Sequence, residues 1–246
     1  MTITIAIAGK GGVGKTSIAA LLMKYLIENK KGTVLAVDAD PNSNLHEKIG
    51  IESEKTIGSM REEIIKSIDS FPIGISKSEH IQYKIRTLLK EGHGFDLLVM
   101  GRSEGPGCYC YVNNLLRVVL DLLAEKYPYV IIDNEAGMEH LSRRTTRNID
   151  LLLILSDDSP IGRKTAERLR ILSQEMDLKI KKTVLIINKS QIHEEKQPLH
   201  KFLGVYYLSE DEELNAYNLE CKSLLKLPSN SKVYLELVKI MDGLIK

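Results

Sequence analysis

The stretch Ala-Gly-Lys-Gly-Gly-Val-Gly-Lys-Thr-Ser, residues 8–17, decides the fold of this chain. It follows an apolar run at residues 3–8 and leads into the apolar sequence Ile-Ala-Ala-Leu-Leu at residues 18–22. The four residues that match the phosphate-loop pattern G-x-x-x-x-G-K-[ST] are Gly9, Gly14, Lys15 and Thr16. A strand, a glycine-rich loop and a helix in this order predict a site for the phosphates of a nucleoside triphosphate.

Each residue type in this loop has a physical role in phosphate binding. Glycines let backbone N–H groups approach phosphate oxygens without a clash from Cβ, and the helix N-terminus adds partial positive charge. We expect Lys15 to reach the β- and γ-phosphates and the hydroxyl of Thr16 to bind Mg²⁺. The loop therefore predicts a nucleoside triphosphate with Mg²⁺, and the family resemblance described below implies that the nucleotide is ATP or ADP. The loop residues that we expect to contact the nucleotide are Gly11, Gly12, Val13, Gly14, Lys15, Thr16 and Ser17.

The composition is that of one ordinary globular domain. The chain has 246 residues, of which 43% are hydrophobic and 27% charged, and its formal net charge is +1. A chain of this size forms one substantial core, so we predict a single domain over residues 1–246. The near-neutral charge argues against a nucleic-acid partner. No apolar stretch reaches the ~18 residues of a membrane span and no signal peptide precedes the first strand, which predicts a cytoplasmic protein with no membrane partner.

Short apolar runs alternate with amphipathic stretches along most of the chain. Continuous runs rich in β-branched residues, such as 129–132 and 183–187, are typical of strands covered on both faces. The alternation predicts an α/β fold with a mostly parallel, doubly wound sheet flanked by helices. We interpret residues 52–94 as an insertion on this sheet. The predicted strands are 2–8, 33–38, 95–100, 129–133, 150–156, 183–188 and 204–208, and the predicted helices are 15–30, 78–91, 112–126, 138–149, 160–176 and 230–245.

The phosphate loop also carries a lysine, Lys10, that the general pattern does not require. With it, the sequence Gly-Lys-Gly-Gly-Val-Gly-Lys-Thr resembles the deviant Walker A ATPases, a group that includes division and plasmid-partition ATPases, nitrogenase iron protein and metal-insertion accessory ATPases. The resemblance implies a P-loop ATPase fold like that of MinD and nitrogenase iron protein. It also implies ATP hydrolysis by a homodimer in which Lys10 reaches the partner's nucleotide.

Acidic residues end two of the predicted strands. Ligands of an open α/β sheet bind beyond the carboxyl ends of its strands. Asp133 closes an apolar strand in the manner of a Walker B motif, which predicts contact with Mg²⁺ through a coordinated water. Asp38 and Asp40 follow another strand, and two carboxylates there can hold Mg²⁺ through water and orient the attacking water. The alternative is a plain turn, because Asp-Pro-Asn-Ser is favourable turn chemistry.

The resemblance assigns roles to several of these residues. It implies that Asp40, before the proline, positions the attacking water, and that Asp38 supports the metal. Gly137 matches the switch II glycine, whose N–H senses the γ-phosphate, although Glu135 stands where division ATPases generally carry proline. Asn188, with Lys189, matches the asparagine that recognises the base, and an ordinary turn is the alternative. The predicted catalytic residues are Lys10, Lys15 and Asp40, and the predicted magnesium site comprises Thr16, Asp38 and Asp133.

Two of the three cysteines, Cys108 and Cys110, are one residue apart in the sequence Gly-Cys-Tyr-Cys. One chain supplies only two such ligands, whereas Zn²⁺ takes four in a tetrahedron and Ni²⁺ with soft donors takes four in a plane. A two-fold dimer would complete the set, so we predict a shared metal site; an ordinary buried pair is the alternative. Cys221 has no partner at metal-ligand spacing, and we expect it to pack. The six histidines are scattered, and His140 alone, just after Gly137, is a candidate relay of nucleotide state.

These motifs in their order resemble the CooC/AcsF-type nickel-insertion accessory ATPases of carbon monoxide dehydrogenase and acetyl-CoA synthase. The resemblance covers the chain from its first strand to Lys189, and also includes Ala-Gly-Met-Glu-His-Leu-Ser-Arg at residues 136–143. It implies that Cys108 and Cys110 from each subunit bind one Ni²⁺ (or Zn²⁺) at the dimer interface. It also implies that ATP hydrolysis is coupled to delivery of the metal to one of those client enzymes.

Two other functions are compatible with the same motifs. The first is a redox protein with an iron–sulfur cluster shared across the dimer, as in nitrogenase iron protein, which instead uses single, widely separated cysteines. The second is a spatial regulator like MinD or ParA that acts on a membrane or DNA. The C-terminal helix at residues 230–245 has an apolar face, but its polar face mixes Glu236 and Asp242 with Lys239. It lacks the basic character of a membrane anchor, so we expect it to pack on the sheet.

Overall fold

The computed structural model describes residues 2–29, 32–52, 55–59, 83, 86–102, 120, 121, 123–136, 148–176, 178–191 and 201–245. The strands are β1 Ile3–Gly9, β2 Val34–Asp38, β3 Lys90–Gly92, β4 Phe95–Val99, β5 Tyr129–Asp133, β6 Asn148–Ser156, β7 Lys179–Ser190 and β8 Val205–Ser209. The helices are α1 Lys15–Glu28, α2 Leu45–Lys48, α3 Pro160–Glu175, α4 Glu212–Leu219 and α5 Lys232–Leu244, with 3₁₀ turns at Ala124–Lys126 and Leu224–Lys226.

The eight described strands form one sheet in the order β3-β4-β2-β5-β1-β6-β7-β8. Every neighbouring pair is parallel except β3 and β4, which are antiparallel at one edge. Each parallel connection must cross the sheet, and a right-handed crossover places the connecting segment on a face. The predicted α/β fold with a mostly parallel, helix-flanked sheet is confirmed.

The core lies on both faces of this sheet, because alternate residues of each strand point to opposite sides. On one face, β1 contributes Ile5 and Ile7 to a cluster that includes α1 and α5. On the other face, Ala6 and Ala8 join a cluster that includes residues of α3. Burial on both faces explains why the central strands are continuous apolar runs rather than alternating ones.

Helix α1 is buried along most of its length. Ile18 through Met23 have no exposed surface, and Tyr25 is fully buried with its hydroxyl hydrogen-bonded to Asp242 of α5 at 2.6 Å. Helix α5 packs against α1 and β8 through one face, which includes Val233 and Leu237. Packing of the C-terminal helix on the sheet is therefore confirmed. Among the described residues, no helix combines the length and the apolar character that crossing a bilayer requires.

The structure corrects several predicted element bounds. The helix predicted at 78–91 ends too late, because Lys90 and Glu91 belong to β3. A tight turn at Gly94, with φ 81°, folds β3 back along β4, and the polar sequence of β3 gives no alternating signal. Strand β6 begins at Asn148, inside the helix predicted at 138–149. The greater part of that helix lies outside the described residues, as do most residues of the helices predicted at 78–91 and 112–126.

The strand register brings the predicted phosphate site together. Asp38 at the end of β2 is the direct neighbour of Asp133 at the end of β5, and Asp133 is the neighbour of Ile7 in β1. The loop after β1 therefore lies beside both carboxylates. Parallel strands create this arrangement because all three carboxyl ends meet at one edge of the sheet.

Candidate nucleotide-binding site

A cavity of about 970 Å³ lies over the carboxyl ends of the strands. The phosphate loop after β1 lines it, and residues of α2 and α4 line it as well. Its volume is at the upper end of the range for small-molecule sites, which is roughly 300–1,000 Å³. The predicted residues that line it are Gly11, Gly12, Gly14, Lys15, Thr16, Ser17, Asp40, Asn188 and Lys189.

Two glycines give the phosphate loop its shape. Gly12 has φ 80° and Gly14, at the N-cap of α1, has φ 94°, both in the left-handed region that favours glycine. A Cβ on Gly14 would lie 2.6 Å from Nδ2 of Asn188. The loop can therefore turn its N–H groups into the cavity and present the N-terminus of α1 to an anion.

Lys15 is the buried cation of the phosphate loop. Its side chain is buried, and its Nζ donates to the backbone carbonyl of Lys10 at 3.2 Å. Burial lowers the pKa of Lys15 below its usual value, while the nearby charges of Asp133 and Asp40 oppose that shift. A phosphate group would bring negative charge to a partly desolvated ammonium, where the attraction is stronger than in bulk water. Lys10, in contrast, is exposed, as its predicted role at a dimer interface requires.

Asp133 has the properties of a magnesium-supporting carboxylate. It is 1% exposed, and its Oδ1 has no hydrogen-bond partner among the described residues. Burial raises the pKa of Asp133 to about 7, although a hydrogen bond from Thr16 and the charge of Lys15 act to lower it. A buried carboxylate oxygen without a partner costs free energy unless a cation or water satisfies it. Asp133 and Thr16 therefore fit Mg²⁺, a hard cation that prefers oxygen ligands.

Asp38 holds the loop that follows β2. It has no exposed surface, and its two carboxylate oxygens accept the backbone N–H groups of Asp40 at 3.2 Å and Leu45 at 2.9 Å. Burial, and next the charge of Asp133, raise the pKa of Asp38 to about 8. Both oxygens are thus engaged with the backbone, so the structure gives Asp38 an anchoring role at the start of α2. Its participation in the magnesium site stays a prediction.

Asp40 lies in the loop that Asp38 anchors. Its Oδ1 accepts the backbone N–H of Asn42 at 2.8 Å, and its carbonyl accepts the N–H of Ser43 at 3.0 Å. The loop is therefore a genuine turn stabilised by its own aspartate, the alternative that the sequence left open. The carboxylate also lines the cavity and raises the pKa of Lys15 by its charge. Asp40 therefore stabilises its own turn and also presents its carboxylate to the cavity.

Asn188, predicted to recognise the base, supports the phosphate loop. It is buried near the end of β7, and its Nδ2 donates to the carbonyl of Val13 at 2.8 Å. Nothing in the local sequence indicates this bond, because it joins residues 175 positions apart. Lys189, which follows with φ 55°, is exposed at the cavity. Contact of either residue with a base stays a prediction.

The cavity is also lined by residues of α2 and α4, and by Asp211 before α4, that the sequence did not indicate. Lys48 of α2 donates from Nζ to Oδ1 of Asn218 of α4 at 2.7 Å, and both side chains line the cavity. Asp211 accepts the N–H of Leu214 at 2.9 Å and so caps α4. Helices α2 and α4 have four and eight residues, too short for a clear periodic pattern.

The two predicted metal ligands, Cys108 and Cys110, lie outside the described residues. The predicted switch II glycine, Gly137, and the candidate relay, His140, also lie outside them. Within the described ranges, no group of three or more His, Cys, Asp or Glu side chains is arranged to hold a metal ion. Cys221 is exposed rather than packed, with φ 51°, so the expectation for it is wrong. It lies in the turn after α4, where the backbone directs the side chain to solvent.

Comparison with known proteins agrees with this site. A family model described as the CobQ/CobB/MinD/ParA nucleotide binding domain matches residues 4–217. An uncharacterized ATP-binding protein of Methanocaldococcus jannaschii is 44% identical over 98% of this chain and 98% of its own length. The carbon monoxide dehydrogenase accessory protein CooC of Rhodospirillum rubrum is 32% identical over 75% of this chain and 73% of its own length.

A solved structure shows the same fold. The septum site-determining protein MinD of Pyrococcus horikoshii, in complex with Mg-ADP, superimposes with a TM-score of 0.70. The match covers 99% of this chain and 97% of that one, at 19% sequence identity. The order of strands around a phosphate loop is thus shared although most side chains differ.

Proposed function

This chain belongs to the CobQ/CobB/MinD/ParA family of nucleotide-binding domains, and from that premise we propose that it couples ATP hydrolysis to the delivery of Ni²⁺. The family membership, the phosphate loop and the cavity make it an ATP-binding P-loop ATPase. The observation that carries the metal proposal is the pair Cys108 and Cys110 in a chain 32% identical to CooC. Zn²⁺ suits four thiolates as well, so the proposed cargo is one soft-ligand divalent ion.

The proposed hydrolytic step uses residues of the phosphate loop and of the Asp40 loop. Asp40 orients a water molecule toward the γ-phosphorus, and Lys15 offsets the charge on the phosphate oxygens. The oxygen of the water bonds to the γ-phosphorus as the bond to the β–γ bridging oxygen breaks, which yields ADP and inorganic phosphate. Mg²⁺, when bound beside Thr16 and Asp133, supplies further charge stabilisation. Lys10 of each subunit reaches the other's phosphates in the proposed dimer.

Metal and nucleotide are linked through the dimer in this proposal. Cys108 and Cys110 of two subunits hold one ion, and ATP closes the same two subunits through Lys10. Because both ligands favour the closed dimer, each must tighten the binding of the other. Hydrolysis removes the γ-phosphate and weakens the closed form, so the ion passes to a client. The proposed clients are carbon monoxide dehydrogenase and acetyl-CoA synthase.

Equilibrium dialysis against Ni²⁺ in the presence of a non-hydrolysable ATP analogue tests the cysteine assignment. We expect one Ni²⁺ per two chains for the wild type and none for the variant with both Cys108→Ser and Cys110→Ser, which still binds the analogue. Cys221→Ser is the matched control because it removes the remaining, exposed thiol, and it should bind Ni²⁺ like the wild type. A double variant that keeps the wild-type stoichiometry contradicts the proposal.

The match to MinD favours a second candidate, a spatial regulator. Helix α5 bears on this candidate, because most of its apolar side chains, including Tyr234 and Met241, are buried in the core, although Leu235 is exposed. Co-sedimentation with anionic vesicles in the presence of ATP separates the two functions. Binding to vesicles would favour the regulator. An iron–sulfur absorption band after anaerobic purification would instead identify the redox alternative.

A further inference from the structure

A hydrogen bond between two side chains connects the Asp40 loop to the segment that follows β4. Arg102 donates from Nη2 to Oδ1 of Asn42 at 2.6 Å, across 60 positions of sequence. Asn42 in turn donates its backbone N–H to Oδ1 of Asp40 at 2.8 Å. A continuous chain of hydrogen bonds therefore runs from the guanidinium of Arg102 to the carboxylate of Asp40.

The backbone that carries Arg102 is firmly held. Met100 is fully buried, its N–H donates to the carbonyl of Asp38 at 2.9 Å, and its own carbonyl accepts the N–H of Gly58 at 2.8 Å. Gly101 has φ 64°, and a Cβ there would lie 2.3 Å from Oγ1 of Thr56. Little space or conformational freedom remains at this point. Arg102 thus extends from a constrained backbone position to the Asp40 loop, which Asp38 also holds through two backbone N–H groups.

The charge of Arg102 has no carboxylate partner among the described residues. In the part of the chain that the structure describes, Arg102 forms no ion pair, and Asn42 is the acceptor of its side-chain hydrogen bond. Asn42 also lines the cavity, on the same side as Asp40. Arg102 therefore binds the side-chain amide of Asn42, next to Asp40, and this contact can hold the carboxylate of Asp40 in position.

We propose that Arg102 is a positioning residue for ATP hydrolysis. Through Asn42 it holds the turn that directs the carboxylate of Asp40 toward the phosphates. Preorganisation of this kind raises the rate because the acid does not have to be ordered during the reaction. The inference rests on the hydrolytic part of the proposed function, in which Asp40 orients the water.

A structural role of Arg102 and a positioning role of Arg102 predict different experimental results. The Arg102–Asn42 bond is exposed, and exposed polar pairs contribute little to the free energy of unfolding. Arg102→Ala should therefore leave the melting temperature within about 2 °C of the wild type. Arg102→Ala should instead lower kcat. Its KM for ATP should stay within about twofold of the wild-type value, because Arg102 does not line the cavity.

A double-mutant cycle on Arg102 and Asn42 tests the proposal. We expect Arg102→Ala and Asn42→Ala each to lower kcat about tenfold, and the double variant to show the same loss as either one, since both remove one bond. Arg102→Lys should recover most of the rate, because Asn42 Oδ1 accepts a single hydrogen bond. Arg168→Ala, on α3, is the matched control and should keep the wild-type rate. Additive losses of about a hundredfold, or single variants with normal kcat, overturn the proposal.

The cycle also separates this inference from the metal part of the proposed function, because kcat is measured without added Ni²⁺. Failure of the cysteine assignment in the dialysis experiment leaves the outcome of the cycle unchanged. A wild type that does not hydrolyse ATP contradicts the hydrolytic part of the proposed function, whereas an active wild type with a failed cycle overturns only the role of Arg102.

Discussion

Asp38 and Asp133 are paired neighbours at the ends of β2 and β5, and their carboxyls differ in what they contact. Asp38 accepts two backbone N–H groups, whereas Oδ1 of Asp133 has no partner among the described residues. Two buried carboxyls side by side favour their neutral forms, since burial and mutual repulsion both oppose ionisation. In the absence of Mg²⁺ and nucleotide, this part of the site is therefore sensitive to pH.

We predict that Asp133→Asn removes part of the pH dependence of stability. Burial raises the folded-state pKa of Asp133 from 3.8 to about 7, so its carboxyl contributes stability that is complete below about pH 4 and lost as the pH rises through 7. The asparagine has no charge to bury. Urea denaturation in EDTA without nucleotide should give nearly equal free energies of unfolding at about pH 4, where the carboxyl is protonated in the folded state and largely protonated in the unfolded state. At pH 8 the variant should be more stable by roughly 2–4 kcal/mol.

A matching experiment at Asp38 is less informative, because an asparagine there loses one of the two backbone acceptors that hold the loop. For Asp133→Asn, a wild-type pH profile that the variant reproduces unchanged would contradict the assigned titration. The variant should also lose hydrolysis, since it no longer supports Mg²⁺.

The residues whose roles can be read from sequence are those with a local pattern. Lys15 and Thr16 follow from their spacing in the phosphate loop, and Asp133 follows from its place at the end of an apolar run. Asn188 and Arg102 are different, because their hydrogen bonds join distant parts of the chain. Such contacts depend on the order of strands in the sheet, which a single sequence does not specify.

At the scale of elements, the junction between β1 and α1 is the most constrained. Gly14 has φ 94° and lies where a Cβ would clash with Asn188, so two independent reasons require glycine. Gly243 near the end of α5 offers a contrast, because a Cβ there meets nothing within 4 Å and its φ is not in the left-handed region. The same substitution should have opposite consequences at the two positions.

We predict that Gly14→Ala weakens ADP binding by at least about a hundredfold, because strain and the displaced Asn188 distort the loop. Gly243→Ala should bind ADP like the wild type. Its free energy of unfolding should rise by up to about 0.5–1 kcal/mol, because alanine is the better helix former. Isothermal titration calorimetry with Mg-ADP and urea denaturation measure the two effects. Normal ADP affinity in Gly14→Ala would contradict the described loop geometry.

Helices α4 and α5 share one buried cap. Asp211 accepts the N–H of Leu214 with one oxygen, and with the other it accepts the hydroxyl of Ser231 at 2.9 Å and the N–H of Val233 at 3.0 Å. Burial alone would raise the pKa of Asp211, but these hydrogen bonds hold it below its usual value. The charged form is thus stabilised by folding, and both helix starts depend on it.

Asp211→Ala should lower the free energy of unfolding at pH 7 by about 2–4 kcal/mol, because two helix caps and a buried bond are lost. The stabilising charge is present above the unfolded pKa and lost as the pH falls through the lower folded pKa, so the deficit should shrink in acid. Glu212→Ala, the adjacent exposed carboxylate, is the control and should cost less than about 1 kcal/mol. Equal losses in the two variants would contradict the shared cap.

Element prediction succeeds where the pattern is long and fails where it is short. Helix α1 and strands β1 and β5 are extended apolar segments, and their predicted bounds agree with the structure to within two residues. Helices α2 and α4 and strand β3 have too few residues to show a period. Their conformation depends on tertiary contacts, such as the hydrogen bond that the N–H of Leu45 donates to Asp38.

At the scale of the whole molecule, the parallel sheet brings the ends of β1, β2, β5 and β7 to one edge. The cavity at that edge holds the phosphate loop, Asp40 and Asn188 together, and the exposed Lys10 lies beside it. The fold class could be predicted from the alternation of strands and helices. The strand order could not, and neither could the cavity lining that α2 and α4 add.

The central claim is that two chains close around two nucleotides and one metal ion. Sedimentation equilibrium with a non-hydrolysable ATP analogue, Mg²⁺ and Ni²⁺ tests it most directly, with metal analysis of the sedimenting species. We predict a species of twice the 27.7 kDa chain mass that contains one Ni²⁺. The Lys10→Ala variant should bind the analogue, but the analogue should not cause it to dimerise. A wild-type species that stays at 27.7 kDa under saturating nucleotide and metal would contradict the account.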